Sequence, residues 1–316
     1  MSDSQANLFK YSVVIPVFNS ERIVGKTVDC VVEFFGRVGW RHEIILVNDG
    51  SADRSWDVAA EKARGNPNII AINLLRNYGQ HTAVFCGLKH ASGDFIITID
   101  DDLQNPPEEI AAMVAKVLEG YDVVYGRFRQ KRHVLYRRVG SGIISWLNQR
   151  IFDKPQDLEV TNFRIMSREV VKRMLTYRTN FPYINGLSLM FSRRRANVWV
   201  EHEPRRAGKS NYGWMQIGAL VARIMFNYSA IPLHAISLMG FGVSFLAVLA
   251  GVWFLLKAIV FGTSVAGWAS VVVLVSFLGG VNIVIVSMVG EYLIRLVRQS
   301  SEGNGYHIAE ILNSDG

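Results

Sequence analysis

The sequence is poor in several features that identify common protein classes. Its only two cysteines, Cys30 and Cys86, lack Cys-x-x-Cys spacing, so we expect both to be reduced, buried apolar side chains, as on a cytosolic face. No Gly-x-Gly-x-x-Gly follows the first predicted strand and no complete Walker motif occurs, which argues against dinucleotide dehydrogenases and P-loop enzymes. The histidines form no ligand pair at helical spacing. Residues 1–10 are polar, so no signal peptide is predicted.

Short apolar stretches rich in Val, Ile and Leu alternate with helical stretches in the N-terminal part of the chain. They cover residues 11–17, 43–47, 69–74 and 95–99. Strands that are covered by helices on both faces have this near-continuous apolar character, so the pattern predicts a doubly wound, largely parallel α/β sheet.

Polar or turn-forming residues follow each predicted strand. The four clusters begin at Pro16, Asn48, Arg76 and Asp100. In open α/β sheets the ligand crevice lies at the carboxyl ends of the strands, so we expect these clusters to converge although they are distant in sequence.

Three consecutive aspartates occupy positions 100–102, and Gln104 follows them. Adjacent acids at the end of a buried strand repel one another unless a cation or a donor-rich ligand is present. Strand alternation predicts that Asp100 and Asp102 face one way and the middle acid the other. Oxygen ligands suit Mg²⁺ or Mn²⁺. The alternative is a solvated acidic turn before a helix that the prolines at 106–107 begin.

Several motifs taken together resemble the inverting glycosyltransferases of family 2. They are Val-Val-Ile-Pro-Val-Phe-Asn-Ser-Glu (13–21), Val-Asn-Asp-Gly-Ser-Ala-Asp (47–53), Leu-Arg-Asn-Tyr-Gly (75–79) and Asp-Asp-Asp-Leu-Gln-Asn-Pro-Pro-Glu (100–108). Nearly the whole chain is similar to the polyprenyl-phosphate members, which include bactoprenol glucosyltransferases and dolichol-phosphate mannose synthases. The resemblance implies a GT-A-like nucleotide-sugar-binding domain and a divalent cation.

The resemblance also assigns roles to individual residues. The positions that hold the base and ribose of the nucleotide sugar are matched by Pro16, Glu21 and Asp49. The metal motif is matched by Asp100 and Asp102, with Gln104 as a further ligand. The metal ligands that we expect are therefore Asp102 and Gln104, with Asp100 close to the donor.

The active-site acid of the family is less directly matched. Its segment Asp-x-Gly-Asp-Phe-Arg corresponds here to residues 159–164, where Glu159 replaces the first acid and Asn162 the second. Asp157 lies two residues upstream, so the acid is either Glu159 or Asp157. The resemblance implies that three further residues steer phosphate groups: Arg164, Arg205 and Ser210.

The C-terminal part of the sequence is strongly apolar. Lys257 is the only charged residue in 232–262, and 268–290 contains none. About 20 apolar residues cross a bilayer, so we predict a transmembrane hairpin with spans at about 233–260 and 268–293. Arg and Lys flank the hairpin at Arg223 and Arg295, among others, whereas the turn at 263–267 is uncharged. The positive-inside rule therefore predicts that both termini are cytoplasmic, at the cell inner membrane.

These patterns together predict the organisation of the chain. We expect a cytoplasmic glycosyltransferase domain (1–210), an amphipathic interfacial helix (211–230), the transmembrane hairpin (231–298) and a cytoplasmic tail (299–316) that is mobile from residue 304 onwards. For residues 211–228 an ordinary core helix is the alternative. The net charge of +7 is spread over several clusters without a nucleic-acid-binding module, so we expect lipid and phosphate partners rather than nucleic acid.

The predicted activity is inverting transfer of one sugar from a nucleotide diphosphate sugar, by expectation a UDP-sugar, to polyprenyl (undecaprenyl) phosphate. The resemblance further implies a homo-oligomer, namely a tetramer. A processive polysaccharide synthase would need more spans and a Gln-x-x-Arg-Trp motif, which is missing. Other acceptors, a sugar-nucleotide pyrophosphorylase and a non-catalytic membrane scaffold are the remaining alternatives.

Overall fold

The structure is a computed structural model. It describes residues 3–128, 135–179, 181–201, 214–229, 267–300 and 305–313, together with scattered positions between 231 and 260. The chain divides into two compact units: Met1–Val221 with Gly303–Gly316, and Ala222–Glu302.

The first unit contains every strand in the described part of the chain. The strands are β1 (Lys10–Val17), β2 (Arg41–Asn48), β3 (Ile69–Leu74), β4 (Phe95–Thr98), β5 (Val123–Phe128), β6 (Arg164–Ser167), β7 (Arg195–Val200) and β8 (Ile308–Leu312). The helices are α1 (Asp3–Ala6), α2 (Val24–Val38), α3 (Ser55–Gly65), α4 (Gln80–His90), α5 (Ile110–Val117), α6 (Leu135–Phe152), α7 (Arg168–Thr176), α8 (Ile184–Met190) and α9 (Trp214–Tyr228). A 3₁₀ turn, Pro107–Glu109, precedes α5.

One mixed sheet has the strand order β7-β5-β6-β4-β1-β2-β3-β8. The strands β1 to β4 pair in parallel, as the four apolar stretches predict. Strand β6 runs antiparallel to both β4 and β5. The predicted doubly wound α/β domain is thus confirmed for the N-terminal part, and antiparallel strands extend the sheet on both sides.

The core forms because the central strands are apolar on both faces. Every residue of β1 from Tyr11 to Val17 is buried. Helix α2 covers one face with apolar side chains at helical spacing, among them Val24, Val28 and Val31. On α4, a Cβ added at Gly87 would lie 2.4 Å from Val14 Cγ1. Glycine therefore lets α4 approach the sheet closely, which fixes the position of the residues that begin this helix.

The C-terminal segment differs from the mobile tail that we predicted. Strand β8 pairs antiparallel with β3, with Ala71 opposite Leu312 and Leu74 opposite Ile308. The Asn313 side chain donates hydrogen bonds to the backbone carbonyls of Ala63, Asn66 and Ile69. The prediction was wrong for residues 308–312, because a stretch of five residues does not reveal that it will pair with the otherwise unpaired edge strand β3.

The second unit is helical at its described positions. Helix α10 (Gly267–Ser300) is its longest described element. A Cβ added at Gly240 would lie 3.2 Å from Ile285 Cδ1, so the segment around residue 240 packs closely on α10. Among the residues described here, no helix combines the length and the apolar character needed to cross a membrane.

Candidate active site

The loops that follow β1 and β2 are joined by reciprocal hydrogen bonds. Asn19 N donates to Ser51 Oγ at 3.0 Å, and Ala52 N donates to Asn19 Oδ1 at 2.9 Å. Glu21 N donates to Asp53 Oδ2 at 3.1 Å, while Glu21 Oε2 accepts from Arg54 N at 3.0 Å. The polar clusters after the first two strands therefore meet at one edge of the sheet, as predicted. Glu21 helps to fix this double loop through its side chain.

Asp49 ties in the loop that follows β3. Its carboxylate, in a residue that is 2% exposed, accepts hydrogen bonds from Tyr78 N at 2.7 Å and from Gly79 N at 2.9 Å. Burial raises the pKa of Asp49 to about 6, although these two hydrogen bonds act in the opposite direction. The structure thus gives Asp49 a loop-organising role, and its expected contact with the base or ribose stays a prediction.

The three aspartates after β4 have different partners. Asp100 Oδ1 accepts from Gln80 Nε2 at 2.6 Å, whereas Asp101 Oδ2 accepts from Phe18 N at 3.3 Å. Asp102 Oδ1 accepts from Gln104 N at 3.1 Å. The middle acid therefore contacts the loop after β1. The strand ends at Thr98, so residues 100–102 lie in a turn and the strand alternation that we predicted for them does not apply; the turn sets the directions of their side chains.

The electrostatics of this turn are unfavourable for three ionised acids. Burial, together with the charges of Asp102 and then Asp101, raises the pKa of Asp100 to about 7. Burial is also the main cause that raises the pKa of Asp101 to about 6. A cation or a donor-rich ligand near these carboxylates would remove the repulsion.

Asn162 stands where the family has its second acid, and the sequence alone assigned it no role. Its side chain forms a hydrogen bond with Asp100 that lowers the pKa of that carboxyl. The family's second acid at this position would instead place a fourth carboxylate beside the cluster. A neutral amide here avoids that additional repulsion.

Arg164 lines the same cavity as Asp100, because antiparallel pairing sets it opposite Thr98. Arg164 is 2% exposed, and its Nε donates to Thr98 Oγ1 at 3.2 Å. Its buried Nη1 has no hydrogen-bond partner within the described residues. The charge of the guanidinium acts on Asp100 to lower the pKa of that carboxyl, against the effect of burial. Its expected steering of substrate phosphates stays a prediction.

A small cavity connects these groups. It is lined by Pro16, Gln80, His81, Val84, Thr98, Ile99, Asp100, Asn162, Arg164 and Ile184. Burial and then the charge of Arg164 lower the pKa of His81 to about 3, so this imidazole is neutral at physiological pH. Sequence reasoning did not select Gln80, the first residue of α4. Its place directly after the Arg-Asn-Tyr-Gly run was the available signal.

The two candidate acids lie near a different part of the sheet. Glu159 pairs with Arg127 of β5 at 3.2 Å, and Glu159 N donates to Asn197 Oδ1 of β7 at 2.8 Å. Asp157 is exposed. The structure associates Glu159 with β5 and β7, whereas Asp100 follows β4 on the other side of β6. Arg205 and Ser210 lie outside the described residues.

The predicted metal ligands offer oxygen donors that suit Mg²⁺ or Mn²⁺. Asp102 is largely buried beside Gln104, and the neighbouring acids have raised pKa values. The described part of the chain contains no group of three or more His, Cys, Asp and Glu side chains arranged to hold a metal. Any cation would therefore need further oxygen ligands from substrate or water, as is common for Mg²⁺. With that condition, the residues present fit the ion.

Comparison with known proteins identifies the family. A family model described as glycosyl transferase family 2 matches residues 12–175, which include the sheet edge and all three aspartates. The chain belongs to glycosyl transferase family 2. Two curated relatives are named undecaprenyl-phosphate 4-deoxy-4-formamido-L-arabinose transferase. The Shewanella sediminis protein is 32% identical over 97% of this chain and 93% of its own length. The Edwardsiella ictaluri protein is 34% identical over 100% of this chain and 98% of its own length.

Solved structures of family-2-like folds agree with the architecture. Glucosyl-3-phosphoglycerate synthase from Mycobacterium tuberculosis, crystallised with Mn²⁺, UDP and phosphoglyceric acid, has a TM-score of 0.55 at 18% identity and covers 71% of this chain and 80% of that chain. Mannosyl-3-phosphoglycerate synthase from Rubrobacter xylanophilus has a TM-score of 0.52 at 15% identity and covers 71% and 74%. These similarities establish the GT-A-like α/β fold of the family 2 domain.

Proposed function

We propose that this family 2 glycosyltransferase transfers a single sugar from a nucleotide diphosphate sugar to polyprenyl phosphate with inversion at the anomeric carbon. The observation that carries the proposal is the similarity of the whole chain, including its apolar C-terminal part, to two undecaprenyl-phosphate sugar transferases. The pre-built loops after β1, β2 and β3 support it, because a nucleotide ligand would meet side chains and backbone groups that are already ordered.

The acceptor chemistry requires alignment more than deprotonation. A phosphate monoester has a second pKa of about 6, so it is largely dianionic at neutral pH and already nucleophilic. One of its oxygens would attack the anomeric carbon while the bond from that carbon to the diphosphate oxygen breaks. Gln80 and Asn162 hold Asp100 in place by hydrogen bonds, and Asp100 would lie close to the bound donor. Glu159 or Asp157 would orient the acceptor or stabilise positive charge on the sugar.

A bound Mg²⁺ or Mn²⁺, held by Asp102 and Gln104, would supply electrostatic stabilisation of the departing nucleotide diphosphate. Neighbouring folds have been crystallised with Mn²⁺ and with Mg²⁺. The side chains of this chain would position the reactants: Pro16, Glu21 and Asp49 at the donor, and Arg164, Arg205 and Ser210 at phosphate groups.

We also propose that residues 233–260 and 268–293 form a transmembrane hairpin, with both termini in the cytoplasm. The support is the sequence, in which 268–290 contains no charged residue. Large apolar side chains are also exposed at many described positions of the second unit, among them Leu238, Phe245, Trp253, Val271 and Val286. We infer that apolar side chains exposed in this number contact lipid or protein.

The first unit also has exposed apolar residues. On α6, Ile143 is 43% exposed and Trp146 is 55% exposed, and Met215 near the start of α9 is 89% exposed. Ile217 of α9 is buried against Gly140 of α6. The amphipathic character of α9 supports its proposed location at the membrane interface, which would present the site to a lipid phosphate.

The decisive experiment incubates the purified full-length enzyme with labelled nucleotide sugars and undecaprenyl phosphate and then analyses the lipid fraction. We expect one sugar on one lipid phosphate, with inverted anomeric configuration. Repeated addition, or transfer only to a soluble acceptor, would replace the proposal with another glycosyltransferase class. Absence of both transfer and donor hydrolysis with every nucleotide sugar would favour the scaffold alternative. Cross-linking in detergent would test the expected homo-oligomer.

A further inference from the structure

The C-terminal strand β8 pairs with β3 and is the outermost strand on that side of the sheet. Without β8, β3 would be an unpaired edge strand, since it follows β2 in the sheet order. The ladder joins Ala71–Leu74 to Ile308–Leu312 and contains an irregularity between Asn73 and Leu74. The chain therefore returns from residues 222–302 to pair with the strand that leads into the Asp49-bound loop.

The contact extends past the end of β3. Leu75 N donates to His307 O at 2.9 Å, so the residue that precedes β8 holds the first residue of the loop Leu75–Gly79. Three residues further on, the same loop gives its Tyr78 and Gly79 amides to the Asp49 carboxylate. The loop is thus held at one end by His307 and at the other end by Asp49.

The middle of this loop packs on the β2 loop with little free space. A Cβ added at Gly50 would lie 2.4 Å from the Arg76 carbonyl carbon and 2.5 Å from Asn77 N, and Gly50 has a φ of 61°. Asn48 Nδ2 also donates to Asn73 Oδ1 at 2.8 Å. A shift of the loop Leu75–Gly79 would therefore push the Arg76 and Asn77 backbone against Gly50.

Both ends of the C-terminal segment are anchored. Asn313, at a φ of 58°, donates from its side-chain amide to carbonyl oxygens at the end of α3, in the following turn and at the start of β3, where the distance to Ile69 O is 2.9 Å. Tyr306 is 5% exposed and lies beside the buried thiol of Cys86 on α4. The same helix begins with Gln80, which donates to Asp100. The segment 305–313 thus contacts β3, which ends at the candidate site, and α4, which begins there.

We propose that residues 306–313 position the donor loop Leu75–Gly79, so that the nucleotide site is complete only when the chain has passed through the 222–302 segment and returned to the sheet. This rests on the proposed function, since it assigns the loop to the nucleotide. The residues that do the positioning are Tyr306, Asn313 and the His307 carbonyl. They act through the loop and are not catalytic.

The test uses the full-length protein with the double substitution Tyr306→Ala and Asn313→Ala, which weakens both anchors and leaves the loop sequence unchanged. Glu310→Ala, at an exposed position of the same strand, is the matched control. UDP with Mg²⁺ is the probe, its Kd is measured by calorimetry, and amide exchange is followed by mass spectrometry. We expect the Kd to increase about tenfold or more in the double variant, which corresponds to a few neutral hydrogen bonds.

Amide exchange separates positioning from general destabilisation. We expect faster exchange at 75–79 together with unchanged exchange in β5, which lies near the opposite edge of the sheet. Faster exchange in β8 with an unchanged Kd and unchanged 75–79 amides would overturn the proposal. So would equal acceleration in β5. If the double variant does not fold, the single variant Asn313→Ala is judged by the same two measurements; if β8 stays protected, Ile308→Pro is added to release it.

The wild-type protein distinguishes failure of the proposed function from failure of the positioning role. If it binds neither UDP nor any other nucleoside diphosphate, the proposed function fails. If it binds UDP and the variant with a released β8 binds equally well, only the positioning role fails.

Discussion

The two halves of the sheet present their candidate residues differently. Around β1, β2 and β3, backbone amides and side chains hold one another in place, and Asp49 alone fixes two amides of the next loop. Around β5 and β7, Glu159 is held by an ion pair with Arg127 and by Asn197, and Asp157 is exposed. We propose that the first half, whose loops are joined by many hydrogen bonds, is the donor side, and that the second half, with its charged groups, is the acceptor side.

The largest expected effect is on the donor side. Asp102→Asn should reduce transfer by about a thousandfold or more, since it removes an expected metal-ligating charge and so the stabilisation of the leaving group. Steady-state transfer at saturating Mg²⁺ measures this, with circular dichroism as the folding control. Asp101→Asn should be much milder because that acid faces the Phe18 amide. Equal losses in the two variants would contradict the assignment of Asp102.

The next test concerns the acceptor side. Glu159→Gln should lower kcat by about a hundredfold, as expected for a positioned acid, while the Kd for UDP stays unchanged. Asp157→Asn should stay within about twofold of wild type, because its side chain is exposed. Reversed results would make Asp157 the acid. If both variants also lost UDP binding, the division into donor and acceptor halves would be wrong.

A smaller effect concerns pH and the acid cluster. The pKa of Asp100 is raised from 3.8 to about 7, so the folded protein binds a proton there more tightly than the unfolded chain does. Stability should therefore fall as the pH rises from about 4 to about 7 in chelator-treated protein without nucleotide. Asn162→Asp adds a fourth acid beside Asp100. The total loss of unfolding free energy over this pH range should then be larger by about 1 kcal/mol.

Thermal unfolding at pH 5 and pH 8 measures that change. Asn68→Asp adds the same charge at an exposed turn and is the control. If the two substitutions gave the same pH dependence, the contact between Asn162 and Asp100 would not matter to stability.

The smallest expected effect on turnover tests how rigid the donor side is. Gly50→Ala places a methyl group against the Arg76 and Asn77 backbone at a positive φ, so it should lower the free energy of unfolding by about 1–3 kcal/mol. Activity of the folded fraction with saturating donor should change only a few-fold. Gly142→Ala, where an added Cβ meets no atom within 4 Å, is the control. Equal stability of the two variants would show that the donor loops adjust easily.

Much of the donor side could be predicted from sequence. The predicted strand 69–74 coincides with β3, and the 95–99 prediction extends only one residue beyond β4. These agreements follow from apolar strands that are buried on both faces, whose boundaries are set by the polar residues after them. The convergence of Glu21, Asp49 and Asp100 at one edge then follows from parallel topology.

The alternation of strands and helices, the polar edge and the family motifs can be read from the sequence, because burial periodicity and turn chemistry are local. The folded structure was needed to show that residues 308–312 pair with β3, that Arg164 is buried near Asp100, and that Asn162 contacts Asp100. Each of these depends on which distant segments become neighbours. Which distant segments become neighbours depends on the unpaired strand edges and on the space left between packed elements. A short stretch of sequence contains neither kind of information.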